Sequence, residues 1–214
     1  SAYHHTATVK TDGTLWTWGF NGLGRLGLGN ITAYSSPKQV GTLTDWSSVS
    51  AGVGHTAAVK TDGTLWTWGT GADGRLGLGN VTNYSSPKQV GTLTTWSSVS
   101  AGYLHTAAVK TDGTLWVWGA NGSGQLGLGN ITAYSSPKQV GTLTTWGTVV
   151  AGQLFTFART TGNALWAWGA GLNGKLGLGN LTDYSSPKQV GTLTTWATLG
   201  GRAYATQFTA GITG

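Results

Sequence analysis

The chain of 214 residues carries a net charge of +6 and combines 37 Gly with 12 Trp, while only 8% of its residues are charged. Gly-rich chains are often disordered, but disordered chains are poor in aromatic residues, so the composition favours an ordered β-protein with many turns. The lack of Cys excludes disulfides and Cys-ligated metals, and no apolar run approaches the roughly 20 residues of a membrane span. Because Met is absent, we expect a processed chain or a piece of a longer one.

A repeat of 50 residues organises the sequence. Residues 51–100 and 101–150 are identical at 37 of 50 positions, with no insertion or deletion. A fixed period of this length indicates one supersecondary unit that is copied and stacked. We therefore expect a single domain over residues 1–214, with repeats 1–50, 51–100, 101–150 and 151–200 and a closing tail 201–214.

Four short strands are predicted within one repeat. The alternating segment Trp46–Gly52 is the first, and His55–Lys60 is the second. Asp62-Gly63 is a strong hairpin signal, and the aromatic segment Thr64–Gly69 follows as the third strand. After a Gly-rich loop, Pro87–Val90 is the fourth, with Pro at its first position, where the missing N–H matters least. The pattern predicts an all-β fold, a β-propeller of four-stranded blades; a β-solenoid is the alternative, but it normally has shorter repeats.

The two ends of the chain predict how the ring closes. Ser1 aligns with Ala51, so repeat one lacks a first strand, whereas Trp196–Gly201 is a first strand without the rest of its repeat. Pairing these ends would hide both sheet edges and close a ring of four blades in a monomer. The competing outcome is an open arc, completed by a second chain in a homo-oligomer or by further repeats. Residues 202–214 exceed what closure needs and are expected to add a strand or to contact a neighbour.

The repeat resembles that of the RCC1 (regulator of chromosome condensation 1) family. The resemblance rests on Ala51-Gly-x-x-His55-Thr-Ala-Ala-Val, Asp62-Gly-x-Leu-Trp-x-Trp-Gly and Gly-x-Leu76-Gly-Leu-Gly, which recur in register. Repeat four departs from it, with Phe155 in place of His. The resemblance implies a propeller, typically of seven blades, and functions that range from small-GTPase exchange and chromatin binding to enzyme inhibition. Near-identical repeats are also similar to those of bacterial surface and phage-encoded proteins, which implies an extracellular or virion-surface location.

Motifs that would indicate catalysis or cofactors are weak. Gly22–Gly27 and Gly122–Gly127 spell G-x-G-x-x-G, but a dinucleotide site needs a following helix, which is not predicted, so we interpret them as turn glycines. No nucleophile–base–orienter set stands out, and Glu is absent, so we predict neither an enzyme nor a cofactor. The Asn-x-Thr glycosylation sequons are interpreted as turns, since they matter only in a cell that glycosylates; they begin at Asn30, Asn80, Asn130 and Asn180.

The repeated His and basic residues allow two interpretations each. His5, His55 and His105 could converge on a metal, but we expect each to start a strand and hydrogen-bond a neighbouring blade, and we predict no metal. The basic residues recur as rows rather than as one stripe, so we interpret them as solubilising charge, with affinity for phosphates or anionic surfaces as the alternative. These rows are Lys10, Lys60 and Lys110; Arg25, Arg75 and Lys175; and Lys38, Lys88, Lys138 and Lys188. The Trp residues are expected to fill the core between blades rather than to stack on sugars.

Sequence differences between repeats are concentrated in two connections. In a four-stranded meander, the turn between strands one and two and the loop between strands three and four lie on one face, and both vary. A constant scaffold with one variable face is typical of recognition by loops, although neutral drift is the alternative. We predict a non-enzymatic interaction or adhesion module that binds a protein or a surface glycan there, without membrane insertion. The rival is a regulator directed at nucleic acid or a GTPase; nucleic acid is the less favoured partner. The candidate ligand-binding residues are Tyr3, His4, Phe20, Asn21, Asp73, Tyr103, Leu104, Asn121 and Asn173.

Overall fold

The computed structural model describes residues 5–200 and 209–212, with the backbone alone for residues 209–212. In this part of the chain there is no α-helix, and the regular structure consists of short strands and two 3-10 turns, Ala72–Gly74 and Leu172–Gly174. In chain order the strands are β1 (His5–Val9), β2 (Leu15–Gly19), β3 (Tyr34–Gln39), β4 (Trp46–Ala51), β5 (His55–Lys60), β6 (Leu65–Gly69), β7 (Tyr84–Gln89), β8 (Trp96–Ala101), β9 (His105–Lys110), β10 (Leu115–Gly119), β11 (Tyr134–Gln139), β12 (Trp146–Ala151), β13 (Phe155–Thr160), β14 (Leu165–Gly169), β15 (Tyr184–Gln189), β16 (Trp196–Gly200) and β17 (Thr209–Ile212).

These strands form a row of antiparallel sheets. Three sheets have four strands each and follow the chain as meanders: β4 to β7, β8 to β11 and β12 to β15. They are flanked by the three-stranded sheet β1–β2–β3 at one end and by the hairpin β16–β17 at the other. The predicted all-β architecture of four-stranded blades in 50-residue units is therefore confirmed.

The turn between the second and third strands shows why this segment folds locally. Gly63 has a positive φ of +76°, and its N–H donates to the Lys60 carbonyl at 3.0 Å. The Asp62 carboxylate accepts hydrogen bonds from both the N–H and the hydroxyl of Thr64, at 2.9 and 2.6 Å. A Cβ added to Gly63 would lie 2.1 Å from the carbonyl oxygen of Thr94. The turn therefore needs both the left-handed glycine and the short carboxylate.

The fourth strand begins earlier than the sequence pattern predicts. β7 starts at Tyr84 rather than Pro87, because Tyr84 pairs with Gly69 across an irregularity in the register between Thr67 and Gly69. Gly69 has a φ of +98°, which lets β6 bulge and keeps the Tyr-Ser-Ser segment in the sheet. Neither Tyr nor Ser in this segment alternates with apolar residues, so periodicity alone misses the extension.

The hydrophobic core lies between consecutive blades. In one cluster, Val59, Leu65 and Val90 of one blade meet Trp96 and Trp118 of the next. The ring of Trp96 packs edge-to-face against those of Trp116 and Trp118, with centroids 6.3 and 6.1 Å apart, a favourable geometry for aromatic pairs. The same arrangement recurs around Trp46 and Trp146. The predicted role of these Trp residues as filler between blades is confirmed.

A buried hydrogen-bond chain joins each blade to the next. Thr106 Oγ1 donates to the Arg75 carbonyl at 2.8 Å, so its single proton is used, and it must accept the bond from His55 Nε2 at 2.8 Å. The indole Nε1 of Trp118 donates to the same Arg75 carbonyl at 2.9 Å. The His5–Thr56 and His105–Thr156 pairs are equivalent. The prediction that these His residues bond a neighbouring blade is confirmed. Because Thr106 Oγ1 accepts from His55, the ring proton of His55 lies on Nε2.

The strand pairing that was predicted to close the ring is absent from the part of the chain that the structure describes. Instead, β16 pairs with β17, with Trp196 opposite Ile212, and β1 pairs with β2. The tail therefore supplies its own second strand, and the β16–β17 hairpin has the strand order that opens a further blade. The expectation that residues 202–214 would add a strand is met by Thr209–Ile212.

Candidate interaction face

The two variable connections meet at the same end of each blade. The N–H of Thr70, at the start of the three–four loop, donates to the carbonyl of Gly54 in the one–two turn at 2.9 Å. Ala120 and Leu104 form the equivalent bond in the next repeat. We refer to this end as the variable face. It consists of the turns 53–54, 103–104 and 153–154 and the loops 20–23, 70–73, 120–123 and 170–173.

An arginine side chain two residues after each of the first two loops reaches the neighbouring blade. Arg25 Nη1 donates to the carbonyl of Val53 at 2.9 Å, and Arg75 Nη1 donates to the carbonyl of Tyr103 at 3.3 Å. Each guanidinium thus supports the one–two turn of the following blade. The variable face is held together across blade boundaries as well as within each blade.

The loops of repeats one and three are organised around a buried amide. Asn121 Oδ1 accepts the backbone N–H of Leu126 at 2.9 Å, and its Nδ2 donates to the carbonyls of Asn130 and Thr132, both at 2.9 Å. Asn21 makes the equivalent bonds to Leu26 and Asn30. Both amides are buried. Asn21 and Asn121 were predicted to bind a ligand, but the structure gives them a different role, since they bond within their own loops.

The loops of repeats two and four replace this amide with glycine. A Cβ at Gly71 would lie 2.0 Å from the Thr82 carbonyl oxygen, and the Gly71 N–H donates to Asn83 Oδ1 at 2.8 Å. Asp183 plays the part of Asn83 in repeat four. In both loops the fourth residue adopts the left-handed conformation, with φ of 59° at Asp73 and 62° at Asn173. The side chains of Asp73 and Asn173 are exposed in this conformation.

The remaining candidate residues divide into exposed, half-buried and undescribed ones. Phe20 is 48% exposed and its ring lies over the guanidinium of Arg25, with 4.8 Å from ring centroid to Cζ. Tyr103 and Leu104 are half-buried in the turn between β8 and β9. Tyr3 and His4 lie outside the described residues. Leu23 and Leu172 were not predicted, yet 41% and 63% of these side chains are exposed on the same face.

The interpretation of the basic rows as solubilising charge is wrong for Arg25, Arg75, Lys60 and Lys110, which are all buried. Lys60 contacts Asp45 at 3.2 Å, whereas the ammonium of Lys110 lies 3.8 Å from the ring centroid of Trp116. Burial lowers the pKa of Lys110, with a small opposing effect from Asp112. The sequence signal that could have identified Arg25 and Arg75 was their position within loops that differ between repeats.

Electrostatics on the variable face centre on the two arginines and the nearby histidines. Burial, and then the positive charge of Arg75, lower the pKa of Arg25. The same two causes lower the pKa of His105 to about 3, and burial holds the pKa of His55 well below its usual range. These histidines are therefore neutral at physiological pH. Among residues 5–200 and 209–212, no three His, Asp, Glu or Cys side chains lie close enough together to hold a metal ion.

The opposite face is nearly constant, and in repeats one to three its turns are held by their own hydrogen bonds. Asp12 and Asp112 bind Thr14 and Thr114 as Asp62 binds Thr64, and these bonds lower the pKa of each carboxyl. Trp66 Nε1 in turn donates to the Thr64 hydroxyl at 2.9 Å. Between blades on this side lie two equivalent grooves of about 420 and 390 Å³, lined by residues that are the same in both repeats, such as Leu93 and Leu143.

Helices long and apolar enough to cross a bilayer are absent from the described ranges.

Comparison with known proteins identifies the repeat. A family model described as "Regulator of chromosome condensation (RCC1) repeat" matches residues 12–59, 62–109, 112–159 and 163–211, and a second RCC1-repeat model matches 46–75 and 96–125. No curated protein matches the sequence significantly.

Solved structures with the same fold include human WBSCR16, with 22% identity and a TM-score of 0.80 over 90% of this chain and 52% of that one. Yeast RCC1 (Prp20) bound to Kap60 has 20% identity and a TM-score of 0.82 over 97% and 51%. Prp20p from Saccharomyces cerevisiae, described with its binding properties to Gsp1p and histones, has 21% identity and a TM-score of 0.77 over 90% and 49%. The chain spans about half the length of these structures. At these identities the likeness shows an RCC1-type β-propeller fold.

Proposed function

Because the chain belongs to the RCC1-repeat family, whose propellers are in general non-catalytic binding modules, we propose that it is a protein-interaction module whose ligand contacts the variable face. The observation that carries this proposal is the contrast between the two faces. On the variable face, Phe20, Leu23 and Leu172 expose apolar side chains on loops that are rigidly bonded to the blades. The opposite face also exposes apolar side chains, such as Leu43, Leu93 and Leu143, but these recur at the same position in each repeat, whereas the exposed residues of the variable face differ between repeats.

Exposed aromatic and aliphatic side chains on rigid supports favour protein binding. Rigid anchors bury apolar area on binding with little loss of conformational entropy, which is why aromatic residues dominate binding hot spots. Phe20 is suited to this role, since Arg25 supports one side of its ring while half of its surface remains accessible. A glycan ligand stays a prediction, and an array of glycans is the direct way to examine it.

The alternative of a nucleic-acid-directed regulator has less support. Specific and non-specific nucleic-acid binding both need basic side chains gathered on one surface. Here Lys38, Lys88 and Lys138 lie on the outer strands of separate blades, each over a Tyr ring of its own strand. A short DNA duplex should bind weakly, without preference for sequence, in a fluorescence polarisation titration.

The test compares two matched sets of exposed apolar residues. Phe20→Ser, Leu23→Ser and Leu172→Ser remove anchors from the variable face, whereas Leu43→Ser, Leu93→Ser and Leu143→Ser remove similarly exposed residues elsewhere. A protein captured from the source organism is purified and titrated against both variants by calorimetry. We expect the first set to weaken binding by about tenfold or more, as hot-spot residues do, and the second to leave it within about twofold. Loss of binding in the second set alone would refute the proposal.

A further inference from the structure

Arg25 is a buried cation that has no anionic partner among the described residues. Its side chain is 7% exposed and lies on the variable face beneath Phe20. Its Nη1 donates to the Val53 carbonyl, but its buried Nε has no acceptor. The ion pairs of the described residues are Lys10–Asp12, Lys60–Asp45 and Arg75–Asp73, and none includes Arg25. A buried charge without a counterion is costly, so such groups are usually paired.

In repeat two the equivalent arginine, Arg75, has a partner for each of its guanidinium nitrogens. Arg75 Nη2 contacts Asp73 Oδ2 at 2.8 Å, and Arg75 Nε donates to the Ala72 carbonyl at 2.9 Å. Both arginines support the next blade through Nη1. The position of Asp73 in the repeat is occupied by Leu23 in repeat one, so the carboxylate is missing there. Repeat three avoids the problem with the neutral Gln125, whose Oε1 accepts the N–H of Ser123 at 2.9 Å.

The shape and chemistry around Arg25 favour one class of ligand. Nε is buried without an acceptor, and the guanidinium bonds a described residue only through Nη1, so Nη2 is the nitrogen that a carboxylate from outside can reach. The side chain that lies over the guanidinium, Phe20, is apolar and does not supply a second cation. The nearest comparable charge, Arg75, is already paired with Asp73. A single planar cation in an apolar rim matches a monoanionic carboxylate better than a phosphate.

We propose that Arg25 is a carboxylate-binding site, and that an Asp or Glu side chain of the protein partner takes the place that Asp73 takes in repeat two. This inference rests on the proposed function, because it assigns a chemistry to one position of the variable face. The partner carboxylate would accept a hydrogen bond from Nη2, the nitrogen that Asp73 contacts in repeat two. Charge-assisted bonds in such a partly desolvated place are stronger than those at an exposed surface.

The site can be tested without the partner. The N-acetyl methylamide of aspartate is titrated into the protein while the Nε–H signals of the arginines are followed by NMR. The uncharged asparagine analogue at equal ionic strength is the control. We expect a saturable shift of the Arg25 signal with the aspartate probe alone, and no shift of Arg75, whose Nε is already bonded. No shift at Arg25, an equal shift with the asparagine analogue, or an equal shift with sodium chloride would each overturn the proposal.

Two variants use replacements that the chain already contains. Arg25→Gln introduces the residue of repeat three. A loop exchange, Phe20→Thr, Asn21→Gly, Gly22→Ala and Leu23→Asp together with Ala33→Asn, installs the loop of repeat two with its own carboxylate. Arg25→Gln removes the Nε–H signal of Arg25, so this variant is tested by its affinity for the protein partner. The exchanged loop should leave the Arg25 signal insensitive to the aspartate probe. An unchanged Arg75 signal reports that each variant is folded.

Binding of the partner separates this inference from the proposed function. We expect Arg25→Gln to weaken binding of the partner by about tenfold or more, since the substitution leaves a desolvated carboxylate of the partner unpaired. If the Ser variants of the variable face lose the partner while Arg25→Gln binds within about twofold of the original protein, the carboxylate site is refuted and the proposed function stands. If the Ser variants also bind normally, the proposed function itself fails.

Discussion

The loops after the third strand come in two forms, and the comparison between them explains much of the variable face. Repeats one and three bury Asn21 and Asn121, which hold the loop from inside. Repeats two and four have Gly71 and Gly171 instead, and the support comes from a side chain twelve residues later, Asn83 or Asp183. In repeats one and three that later position is Ala33 and Ala133.

This coupling bears on whether the variable positions drift freely. A Cβ at Gly71 or Gly171 would collide with the carbonyl of Thr82 or Thr182, at 2.0 and 2.1 Å, so an Asn cannot enter these loops without a rearrangement. The two positions therefore change together, as parts of two alternative hydrogen-bond sets. One scaffold therefore carries two loop conformations. Free drift would not preserve these pairs.

The largest loss of stability is expected from substitutions in the core between blades, which supports both loop forms. Trp68→Ala should lower the free energy of unfolding by about 3–5 kcal/mol, because its fully buried indole fills the boundary between blades and bonds the Arg25 carbonyl. The matched control is Trp18→Ala, whose indole is only half-buried and should cost clearly less. Urea denaturation measures both. Equal losses would contradict the assignment of the core to the contacts between blades.

The next effect is a pH dependence that repeat four should lack. The pKa of His105 is lowered to about 3 by burial and by Arg75, below the ordinary 6.5 of the unfolded chain. Between these values the folded protein binds fewer protons than the unfolded chain, so its stability is complete above pH 6.5 and falls as the pH drops. From pH 6.5 to 4 the loss from His105 should be roughly 3 kcal/mol.

Repeat four provides the control, since Phe155 occupies the position of His105. His105→Phe should make the unfolding free energy less dependent on pH between 6.5 and 4. Chemical denaturation at several pH values measures this slope. An unaltered slope in the Phe variant would show that His105 is not the group responsible.

The sequence predicted the scaffold of the blades more completely than the variable face. The scaffold signals repeat in register: the strand spacing, the Asp62-Gly63 turn and the Trp positions. Each predicted strand, turn and core position was therefore supported by several repeats. The predicted closing pair is absent from the described residues, where Trp196–Gly200 pairs with Thr209–Ile212 instead. An alignment of Trp196–Gly201 with a missing strand does not reveal this second partner.

On the variable face, exposure depends on loop conformation, which single residues do not reveal. Asn21 and Asp73 are both polar residues in Gly-rich loops. One is fully buried, whereas the other, at φ of 59°, is turned outward. Arg25 escaped prediction because a missing partner is visible only once the neighbours are placed.

Exchanging the two loop forms should have a moderate effect. Asn121→Gly removes the acceptor of the buried Leu126 N–H and should cost about 1–3 kcal/mol, the range for a buried backbone group left without a partner. Adding Ala133→Asn supplies the side chain that supports Gly71 in repeat two. We expect the double variant to recover part of the loss. If Ala133→Asn gives no recovery in thermal denaturation, the two positions are not coupled as the comparison holds.

The smallest effect on stability should come from making repeat two resemble repeat one. Asp73→Ala removes the carboxylate beside Arg75, but 45% of that side chain is exposed, so solvent screens the pair and the loss should be about 1 kcal/mol or less. The same change leaves Arg75 as a buried cation without an anion, as Arg25 is in the original protein. An acetate titration followed through the arginine side-chain NMR signals should then show a response at Arg75 that the original protein lacks, with Asp73→Asn as the isosteric control. If Arg75 stays unresponsive in both variants while Arg25 responds, the two guanidiniums differ by more than the carboxylate, and the Phe20 ring over Arg25 is the distinguishing feature.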